Sequence, residues 1–511
     1  MSFSLMKVVV EFMEETEKLN AFFNPSSAAI IGASKKMAKA GNVIFKNFAY
    51  NKTRGVFKGE IYPVNPNEKS ILGFKCYPSI TEIAGELDLI VIVVPAKVVP
   101  KIMEEAVVKN VKTAIIITSG FREIGNVELE QKLVATARKA GIRILGPNCL
   151  GVYYQKTGVD TLFLPETKVL TTGDEVIATP RPLVGDIAIV TQSGAFGVAA
   201  LDLLAGRQIG ISKFVSFGNK SDVTESEMMH YLLFDNETKV ILLYVEDIKY
   251  GRKFLEIAKK VTAKKPIVAL KAGRSAAGAR AAVSHTGAIA GSDKIYDAAF
   301  EQSGVIRARD MEEFFDMGKA LAMQPPALGK NVGILTDAGG PGIMAVDECE
   351  SKDLSVNRFS EVTLQKFQQL KDKNVLPKFA ATSNPVDLTG SVTDDMFEVA
   401  VDLMFQDPEV HGIILLGLHH LPALREKYID GVARISGKYS KPIVMCDIGE
   451  TEMALYTRSR FDKLGIPSFP SPEDAARAMS ALARYGEYLI KNGFAEDYVS
   501  EFLKKKNPIK G

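Results

Sequence analysis

The sequence has few of the residues that build disulfide and metal–sulfur frameworks. Among its 511 residues are four cysteines, five histidines and no tryptophan. The cysteines are scattered, and no two form a CxxC pair: Cys76, Cys149, Cys349 and Cys446. This scatter argues against a disulfide scaffold and against a zinc or iron–sulfur centre. We therefore expect no metal site and a reducing environment.

The chain also carries little net charge. Its 63 Lys and Arg residues nearly balance its 61 Asp and Glu residues, which leaves a formal net charge of +2. This balance does not favour binding to nucleic acid or to an anionic membrane surface. No apolar run reaches the roughly 20 residues that a membrane-spanning helix needs. The amino-terminal stretch lacks the continuous apolar segment of a signal peptide, so we predict a cytoplasmic protein.

Short apolar runs alternate with helical stretches along the chain. In the first third, five such runs end in Gly, Pro, Ser or Asn: SAAIIGAS (27–34), GEIYPVNP (59–66), LDLIVIVVP (87–95), VKTAIIITSG (111–120) and GIRILGPN (141–148). Continuous apolar strands separated by helices are typical of a parallel sheet covered on both faces. Ligands bind beyond the carboxyl ends of the strands in such sheets.

Two further segments follow the same plan. A loop rich in Thr, Pro and Gly, at about 153–185, precedes the second, and the linker MQPPALGK (323–330) precedes the third. The stretches IAIVTQSGAFG and VGILTDAGGPG resemble each other, as do KKPIVALKAG and SKPIVMCDIG. We predict an α/β protein with a Rossmann-like domain at 1–152 and two related flavodoxin-like domains at 153–324 and 325–511.

The strand ends of the first segment form one candidate site. The turn IIGASKK lacks the GxGxxG pattern, and the expected acidic residue for a nicotinamide ribose is not obvious, which disfavours an NAD(P)-linked oxidoreductase. Backbone N–H groups, hydroxyls, an amide and lysines on one rim suit a phosphate-bearing adenine nucleotide. The alternative is that these are ordinary turn residues. The candidates are Gly32, Ser34, Lys35, Asn65, Pro95, Lys97, Ser119, Gly120 and Asn148.

A second candidate site lies in the turn TQSGAFG (191–197). Ser193, Gly194 and Ala195 stand between a predicted strand and a predicted helix. Free N–H groups at the positive end of a helix favour a phosphate. An ordinary tight turn is the alternative, and GGPG (339–342) in the third segment is a similar turn.

His285 stands in the small-residue run VSHTGAIAGS (283–292). A histidine serves as a metal ligand, a proton shuttle, a nucleophile or a satisfied core residue. The small neighbours give the ring little to pack against, zinc would need further Cys or His nearby, and no nucleophile elbow appears in the sequence. A covalent role remains, in which a carboxylate such as Glu246 or Asp247 holds the opposite ring nitrogen.

The other four histidines are weaker candidates. His230 lies in a helical stretch, and His411 precedes a predicted strand. His419 and His420 end that strand at a rim, but adjacent side chains are expected to point apart, so we do not expect them to chelate a metal together.

Taken together, the motifs resemble the ADP-forming acyl-CoA synthetases, the acetate–CoA ligase (ADP-forming) proteins related to succinate–CoA ligase. The matching motifs run in family order from about residue 20 to about residue 490: IIGAS, YPVNP, VPAK, TSGFRE, GPNCLG, TQSGAFG, GNKSDV, VSHTGAIAGSD, DAGGPG and NPVDLTG. The resemblance implies that the first domain binds CoA through the rim residues named above.

The resemblance also implies a mechanism. His285 would carry the phosphoryl group, Glu246 would orient it, and Ser193, Gly194 and Ala195 would bind phosphate beside the acyl group. Acyl-CoA, phosphate and ADP would become a carboxylic acid, CoA and ATP through an acyl phosphate and a phosphohistidine.

The chain contains no P-loop and leaves no room for an ATP-grasp module. The resemblance therefore implies an α subunit that needs a separate ATP-grasp β subunit, which would hold ADP or ATP with Mg²⁺ in an α₂β₂ assembly. The alternative is a CoA-binding regulatory or scaffold protein that lacks turnover. The identity of the carboxylic acid stays open.

Overall fold

The structure is a computed structural model that describes residues 18–278, 280 and 292–506. These residues fall into two compact units. The first unit comprises Met1–Val261 and Ala269–Ser303, and the second comprises Thr262–Val268 and Gly304–Gly511. His285 lies outside the described residues.

Strands β1 to β15 come first along the chain. They are β1 (Ser27–Ile31), β2 (Glu60–Val64), β3 (Ser70–Ile71), β4 (Phe74–Lys75), β5 (Leu89–Ile92), β6 (Thr113–Ile116), β7 (Arg143–Leu145), β8 (Gly151–Tyr154), β9 (Val159–Asp160), β10 (Thr167–Val169), β11 (Glu175–Ile177), β12 (Val184–Thr191), β13 (Ile211–Ser216), β14 (Val240–Val245) and β15 (Ile267–Lys271). The helices between and after them are α1 (Ala40–Thr53), α2 (Val99–Val108), α3 (Val127–Lys139), α4 (Gly194–Gly206), α5 (Glu225–Leu233), α6 (Gly251–Thr262) and α7 (Asp293–Ser303).

The remaining elements belong to the second unit. Its strands are β16 (Ile306–Ala308), β17 (Val332–Thr336), β18 (Ala381–Thr382), β19 (Val386–Asp387), β20 (Gly412–Leu416), β21 (Ile443–Cys446) and β22 (Ser468–Phe469). Its helices are α8 (Met311–Met323), α9 (Gly339–Ser351), α10 (Glu361–Asp372), α11 (Asp394–Gln406), α12 (Lys427–Ser436), α13 (Glu452–Lys463), α14 (Pro472–Lys491) and α15 (Ala495–Lys506).

The first sheet is parallel and has the strand order β2-β1-β5-β6-β7. Its central strands are buried along their whole length, since every residue of β5 and β6 is inaccessible to solvent. Helices cover both faces of such a sheet, which explains the continuous apolar runs. The order reverses between β1 and β5, and the carboxyl ends of these two strands border the crevice in which this class of fold binds ligands.

Among strands with residues in the first unit, the second sheet runs in the order β15-β14-β12-β13-β8-β9. The strands β12, β13 and β14 pair in parallel, while β8 and β9 form an antiparallel hairpin on β13. The prediction of a plain loop at 153–185 is wrong, because β9 and a separate exposed hairpin of β10 and β11 lie in it. Strands of two or three residues are too short to show a periodic pattern of apolar residues, so the sequence does not predict them.

The third sheet has the order β18-β19-β17-β20-β21-β22, and only β18 is antiparallel to its neighbour. When the parallel strands of each sheet are numbered along the chain, β13-β12-β14-β15 and β19-β17-β20-β21 share the order 2-1-3-4. This is the flavodoxin-like order. The predicted α/β fold class, with one Rossmann-like and two flavodoxin-like sheets, is therefore confirmed.

The predicted domain boundaries stay predictions. The boundary at 152 falls inside β8, which belongs to the second sheet. In the described part of the chain, every helix is too short or too polar to span a lipid bilayer.

Candidate functional site

A cavity of about 930 Å³ opens in the first unit. Its walls come from the carboxyl ends of strands in both sheets of that unit. Pro95 follows β5, Ser119 follows β6 and Asn148 follows β7, while Ser193 follows β12 and Glu246 follows β14. Five predicted site residues from distant parts of the chain therefore line one space, and Gly194 and Ala195 line it with them.

The turn after β1 is built on a close approach of backbone to backbone. Gly32 has a φ of +94°, and a Cβ atom added there would lie 2.4 Å from the carbonyl oxygen of Val93. Only glycine fits such a position without strain. Gly41, near the start of α1, is equally tight, since its added Cβ would lie 2.0 Å from the carbonyl oxygen of Gly32. The two glycines lock β1, its turn and α1 together.

The polar side chains near this turn mostly form hydrogen bonds with the backbone of the turn. The Asn65 amide donates to the carbonyl of Ala33 at 2.8 Å, and the hydroxyl of Ser34 accepts from the backbone N–H of Lys36 at 3.1 Å. Lys35 forms an exposed ion pair with Glu68 at 2.8 Å. None of these residues is among those that line the cavity, so their predicted contact with a nucleotide stays a prediction.

The remaining rim residues are more open. Pro95, Lys97, Ser119 and Asn148 are exposed, and Gly120 has a φ of +112°. Of these, Pro95, Ser119 and Asn148 line the cavity. Such a rim exposes polar backbone and hydroxyl groups, and their binding to a ligand with phosphates stays a prediction.

The turn after β12 has the predicted form. Ser193 is the N-cap residue of α4, and its hydroxyl accepts from the backbone N–H of Phe196 at 3.3 Å. The first turn of α4 contains no acidic side chain. The N–H groups of Gly194 and Ala195 therefore lie at a positive helix end that no neighbouring carboxylate in that turn neutralises. This local field favours an anion such as phosphate.

Glu246 is held by a residue that sequence reasoning missed. The side-chain oxygen of Gln192 accepts from the backbone N–H groups of Glu246 and Asp247, at 2.9 Å and 3.2 Å. The amide nitrogen of Gln192 donates to the carboxylate of Asp247 at 2.7 Å. Because Gln192 follows β12 directly, this bridge ties the end of β14 to the phosphate turn.

A buried lysine completes this network. The ammonium of Lys220 donates to the backbone carbonyl of Asp247 at 2.6 Å and forms ion pairs with the carboxylates of Glu225 and Asp247, at 3.0 Å and 3.2 Å. Burial opposes the charge on Lys220, but these carboxylates raise its pKa above the ordinary value. For Asp247, burial acts upward, and Lys220 and Gln192 bring the pKa below its ordinary value. The pair therefore stays ionised at neutral pH.

A second network joins the two strand-end rims. The Asn219 amide, in the loop after β13, donates to Glu123 at 2.6 Å and to Glu130 at 2.9 Å. Burial opposes ionisation of Glu123, yet hydrogen bonds from Asn219 and from the backbone of Gly120 and Phe121 lower its pKa. Both Glu123 and Asn219 line the cavity.

These additional residues were visible in the sequence as members of motifs. Gln192 stands in TQSGAFG, Asn219 and Lys220 stand in GNKSDV, and Glu123 stands in TSGFRE. Each follows a predicted strand closely, which was the available signal. The hydrogen bond between Gln192 and Glu246 joins residues 54 positions apart, and that between Asn219 and Glu123 joins residues 96 positions apart. Strand order decides such pairs.

The histidines of the third sheet differ from expectation. His419 and His420 do not point apart: their ring centroids are 3.9 Å apart with an interplanar angle of 32°. Within the described residues, no group of three or more His, Cys, Asp or Glu side chains is arranged to hold a metal ion. The four cysteines are all unpaired and buried.

Three domain families match the chain in sequence. They are the CoA binding domain at residues 26–155, the succinyl-CoA ligase like flavodoxin domain at residues 184–321 and the Ligase-CoA domain at residues 332–486. The three matches follow the order of the three large sheets along the chain.

Whole-chain relatives carry the same arrangement. The α subunit of acetate–CoA ligase [ADP-forming] I from Pyrococcus furiosus is 42% identical over 485 residues, which are 93% of this chain and 99% of that protein. The acetate–CoA ligase [ADP-forming] of Methanocaldococcus jannaschii is 38% identical over 94% of this chain, but the match spans only 65% of that longer protein.

A solved structure shows the same fold. It is the dinucleotide-forming acetyl-coenzyme A synthetase 1 of Ca. Korarchaeum cryptofilum in complex with phosphate and ADP, with a TM-score of 0.82 and 35% identity. The match covers 95% of this chain and 99% of that one. With its three matched domains, its strand-end cavity and relatives of this similarity, the chain belongs to the ADP-forming acetate–CoA ligase (acyl-CoA synthetase) family and corresponds to the α subunit of these enzymes.

Proposed function

We propose that this chain is the α subunit of an ADP-forming acyl-CoA synthetase. It interconverts acyl-CoA, ADP and phosphate with a carboxylic acid, CoA and ATP, through an acyl phosphate and a phosphohistidine at His285. The observation that carries the proposal is the cavity that places the rim of the first sheet beside the phosphate turn and Glu246. A thioester bound on that rim would lie next to the phosphate that attacks it.

Each part of the cavity has a role in this reaction. Pro95, Ser119 and Asn148 would contact CoA, with Gly32, Ser34, Lys35, Asn65, Lys97 and Gly120 completing that rim. The N–H groups at Gly194 and Ala195 would bind phosphate and stabilise the charge that develops during its attack on the acyl carbon. Positioning both reactants in one cavity removes much of the entropic cost of their encounter.

Glu246 would hold one nitrogen of the His285 imidazole, so that the other nitrogen accepts the phosphoryl group. The backbone N–H of Glu246 donates to the side-chain oxygen of Gln192, and Gln192 in turn bonds to Asp247 at 2.7 Å and to Lys220 at 3.4 Å. This anchoring fixes the backbone that carries the Glu246 carboxylate, which supports the proposed role.

The second half of the reaction requires a partner. The chain spans nearly all of a relative named as an α subunit but about two thirds of a single-chain relative. We therefore propose a separate β subunit with an ATP-grasp fold, which binds ADP or ATP with Mg²⁺, and an α₂β₂ assembly. We also propose that the carboxylic acid is a small one.

Phosphoryl transfer to His285 provides the test. The chain is mixed with its cognate β subunit, Mg²⁺ and γ-labelled ATP, and the label on the chain is measured after acid and after alkali. We expect an acid-labile, alkali-stable label on the wild type, none on His285→Ala, and full labelling of the matched control His230→Ala. CoA with the carboxylic acid should discharge it.

Two results would overturn the proposal. If the label persists in His285→Ala, the phosphoryl carrier is another residue. If CoA binds but no label ever forms with an active β subunit, the chain is instead a CoA-binding regulatory protein without turnover.

A further inference from the structure

A nucleophile-like constellation lies at the carboxyl edge of the third sheet. Nδ1 of His419, in the loop after β20, is 2.8 Å from Oδ1 of Asp447, which directly follows β21. Nε2 of the same ring is 3.1 Å from the hydroxyl oxygen of Thr451. A carboxylate, an imidazole and a hydroxyl therefore follow one another within hydrogen-bond distance. Such a triad is recognised by its geometry and not by the order of its residues in the sequence.

Burial decreases along the triad, from the carboxylate to the hydroxyl. Asp447 is inaccessible to solvent, the side chain of His419 is 7% exposed, and Thr451 is exposed. Oδ1 of Asp447 also faces the backbone N–H of His419, at 3.4 Å, and its Oδ2 has no hydrogen-bond partner among the described residues. A carboxylate so placed holds the proton of the imidazole on Nδ1, which leaves Nε2 to accept the proton of the Thr451 hydroxyl.

The hydroxyl also stands at a strand-to-helix turn. Thr451 is the N-cap residue of α13, where its Oγ1 accepts a long hydrogen bond of 3.5 Å from the backbone N–H of Ala454. The N–H groups of the next two residues, Glu452 and Met453, belong to the first helical turn, where no intrahelical acceptor exists. They are available donors for an oxyanion that forms beside Thr451, in a helical turn that also carries the acidic side chain of Glu452.

An arginine side chain stabilises the backbone of this turn. The guanidinium of Arg458 donates to the backbone carbonyl of Asp447 at 2.8 Å and also to that of Gly449. Helix capping alone would need only the Thr451 hydroxyl. The buried carboxylate and the oriented imidazole behind it are the additional parts that a reactive hydroxyl needs.

We propose that Thr451, His419 and Asp447 form a second reactive centre that hydrolyses activated acyl esters and thioesters of small acids. This activity needs neither phosphate nor ADP nor a second subunit, so it goes beyond the proposed synthetase reaction. The sequence contains no Gly-x-Ser-x-Gly elbow, and a threonine in the equivalent turn is why sequence reasoning found no nucleophile.

The proposed reaction has two steps. First, the Thr451 oxygen attacks the acyl carbon while its proton passes to Nε2 of His419. The bond from carbon to the leaving sulfur or oxygen then breaks, and the leaving group takes that proton. Second, water attacks the acyl-threonine ester, gives one proton to Nε2 and displaces the Thr451 oxygen, which recovers it. The sum is ester or thioester plus water giving acid plus alcohol or thiol.

The test uses the whole chain without β subunit, ADP or phosphate. Hydrolysis of 4-nitrophenyl acetate and of acetyl-CoA is followed by release of 4-nitrophenolate and of free thiol. We expect turnover in the wild type and in Thr451→Ser, which keeps the hydroxyl. Thr451→Asn keeps a helix cap but lacks the nucleophile and should lose turnover. His419→Ala and Asp447→Asn should each lower kcat roughly 10²- to 10⁴-fold.

Controls separate this centre from adventitious catalysis by imidazole. His230→Ala, which removes an imidazole from the other unit, should leave the rate unchanged. A wild-type rate no higher than that of an equal concentration of free imidazole, or an unchanged rate in Thr451→Asn, would overturn the proposal. So would loss of the rate in His420→Ala together with its retention in His419→Ala. Each outcome leaves the labelling experiment at His285 unaffected, so the two proposals fail separately.

Discussion

At the scale of single residues, the structure uses buried charge in two opposite ways. Lys220 is buried and forms an ion pair with the half-buried Asp247, and further hydrogen bonds support the pair, so each stays charged. Asp337, which follows β17, is buried without a cation, and one of its oxygens lacks a hydrogen-bond partner among the described residues. A buried carboxylate of the second kind favours its protonated form.

Asp337 makes the stability of the protein depend on pH. Burial raises its pKa to about 7, the N–H of Leu418 acts downward, and the charges of Asp447 and Asp387 add to the rise. The pKa in the folded state lies above the ordinary value of 3.8, so the contribution of Asp337 to the free energy of unfolding falls as pH rises from about 4 to about 7. Relative to the wild type, the free energy of unfolding of Asp337→Asn should increase by up to about 4 kcal/mol as the pH rises from about 4 to about 7. Denaturant unfolding at several pH values measures this gain.

Asp353→Asn is the matched control for this experiment. The pKa of Asp353 is lowered by its ion pair with Lys330. Its small contribution to the free energy of unfolding therefore changes with pH in the opposite direction to that of Asp337. A pH profile of Asp337→Asn parallel to that of the wild type would show that Asp337 is ionised in the folded state throughout.

At the scale of elements, the packing of α1 on the turn after β1 determines the geometry of the first rim. The contact depends on two glycines, since a Cβ on either would meet backbone carbonyl atoms that have no freedom to move away. The same logic does not apply to Gly206, at the end of α4, where an added Cβ would meet no atom within 4 Å.

Gly41 and Gly206, which both lie in helices, give a matched pair of predictions. Gly41→Ala should destabilise the protein by about 1–3 kcal/mol, because its Cβ must displace the backbone of Gly32. Gly206→Ala should be neutral or stabilising by up to about 1 kcal/mol, because alanine favours the helix. Thermal and denaturant unfolding, followed by far-ultraviolet circular dichroism, measures both. Equal effects of the two substitutions would contradict the close contact at Gly41.

At the scale of the whole molecule, the chain enters the second unit twice. The short segment Thr262–Val268 belongs to that unit together with everything from Gly304 onward. The segment is held by α14, since the Tyr485 hydroxyl donates to the carbonyl of Thr262 at 2.8 Å. The hydroxyl of Tyr488 lies 3.0 Å from that of Thr262. Contacts between residues so distant in sequence integrate the unit.

Tyr485→Phe tests this connection. Tyr485 is fully buried, so loss of its hydroxyl leaves the carbonyl of Thr262 without this donor and should cost about 0.5–1.5 kcal/mol. Tyr50→Phe removes an exposed hydroxyl and should change stability by less than about 0.5 kcal/mol. Because the protein has no tryptophan, circular dichroism is the suitable measurement. An effect at Tyr485 no larger than that at Tyr50 would show that this bond does not stabilise the unit.

The sequence by itself determined the succession of the main strands along the chain, the α/β class and the family. Each of these rests on local information: apolar runs buried on both faces, turn residues at strand ends, and motifs such as TQSGAFG and GNKSDV. His285 remains a prediction from such a motif, because it lies outside the described residues. The β9 strand and the hairpin of β10 and β11 escaped notice because two or three residues carry too little periodicity.

Only the tertiary structure decided which strand ends share a cavity and which side chains pair. Gln192 meets Glu246, Asn219 meets Glu123, and His419 stands between Asp447 and Thr451. These partners come from different strand ends, and parallel strands that are neighbours in space are often distant in the chain. The physical reason is that strand order and packing set such contacts, while hydrophobic pattern and turn chemistry report only on a residue's immediate neighbours.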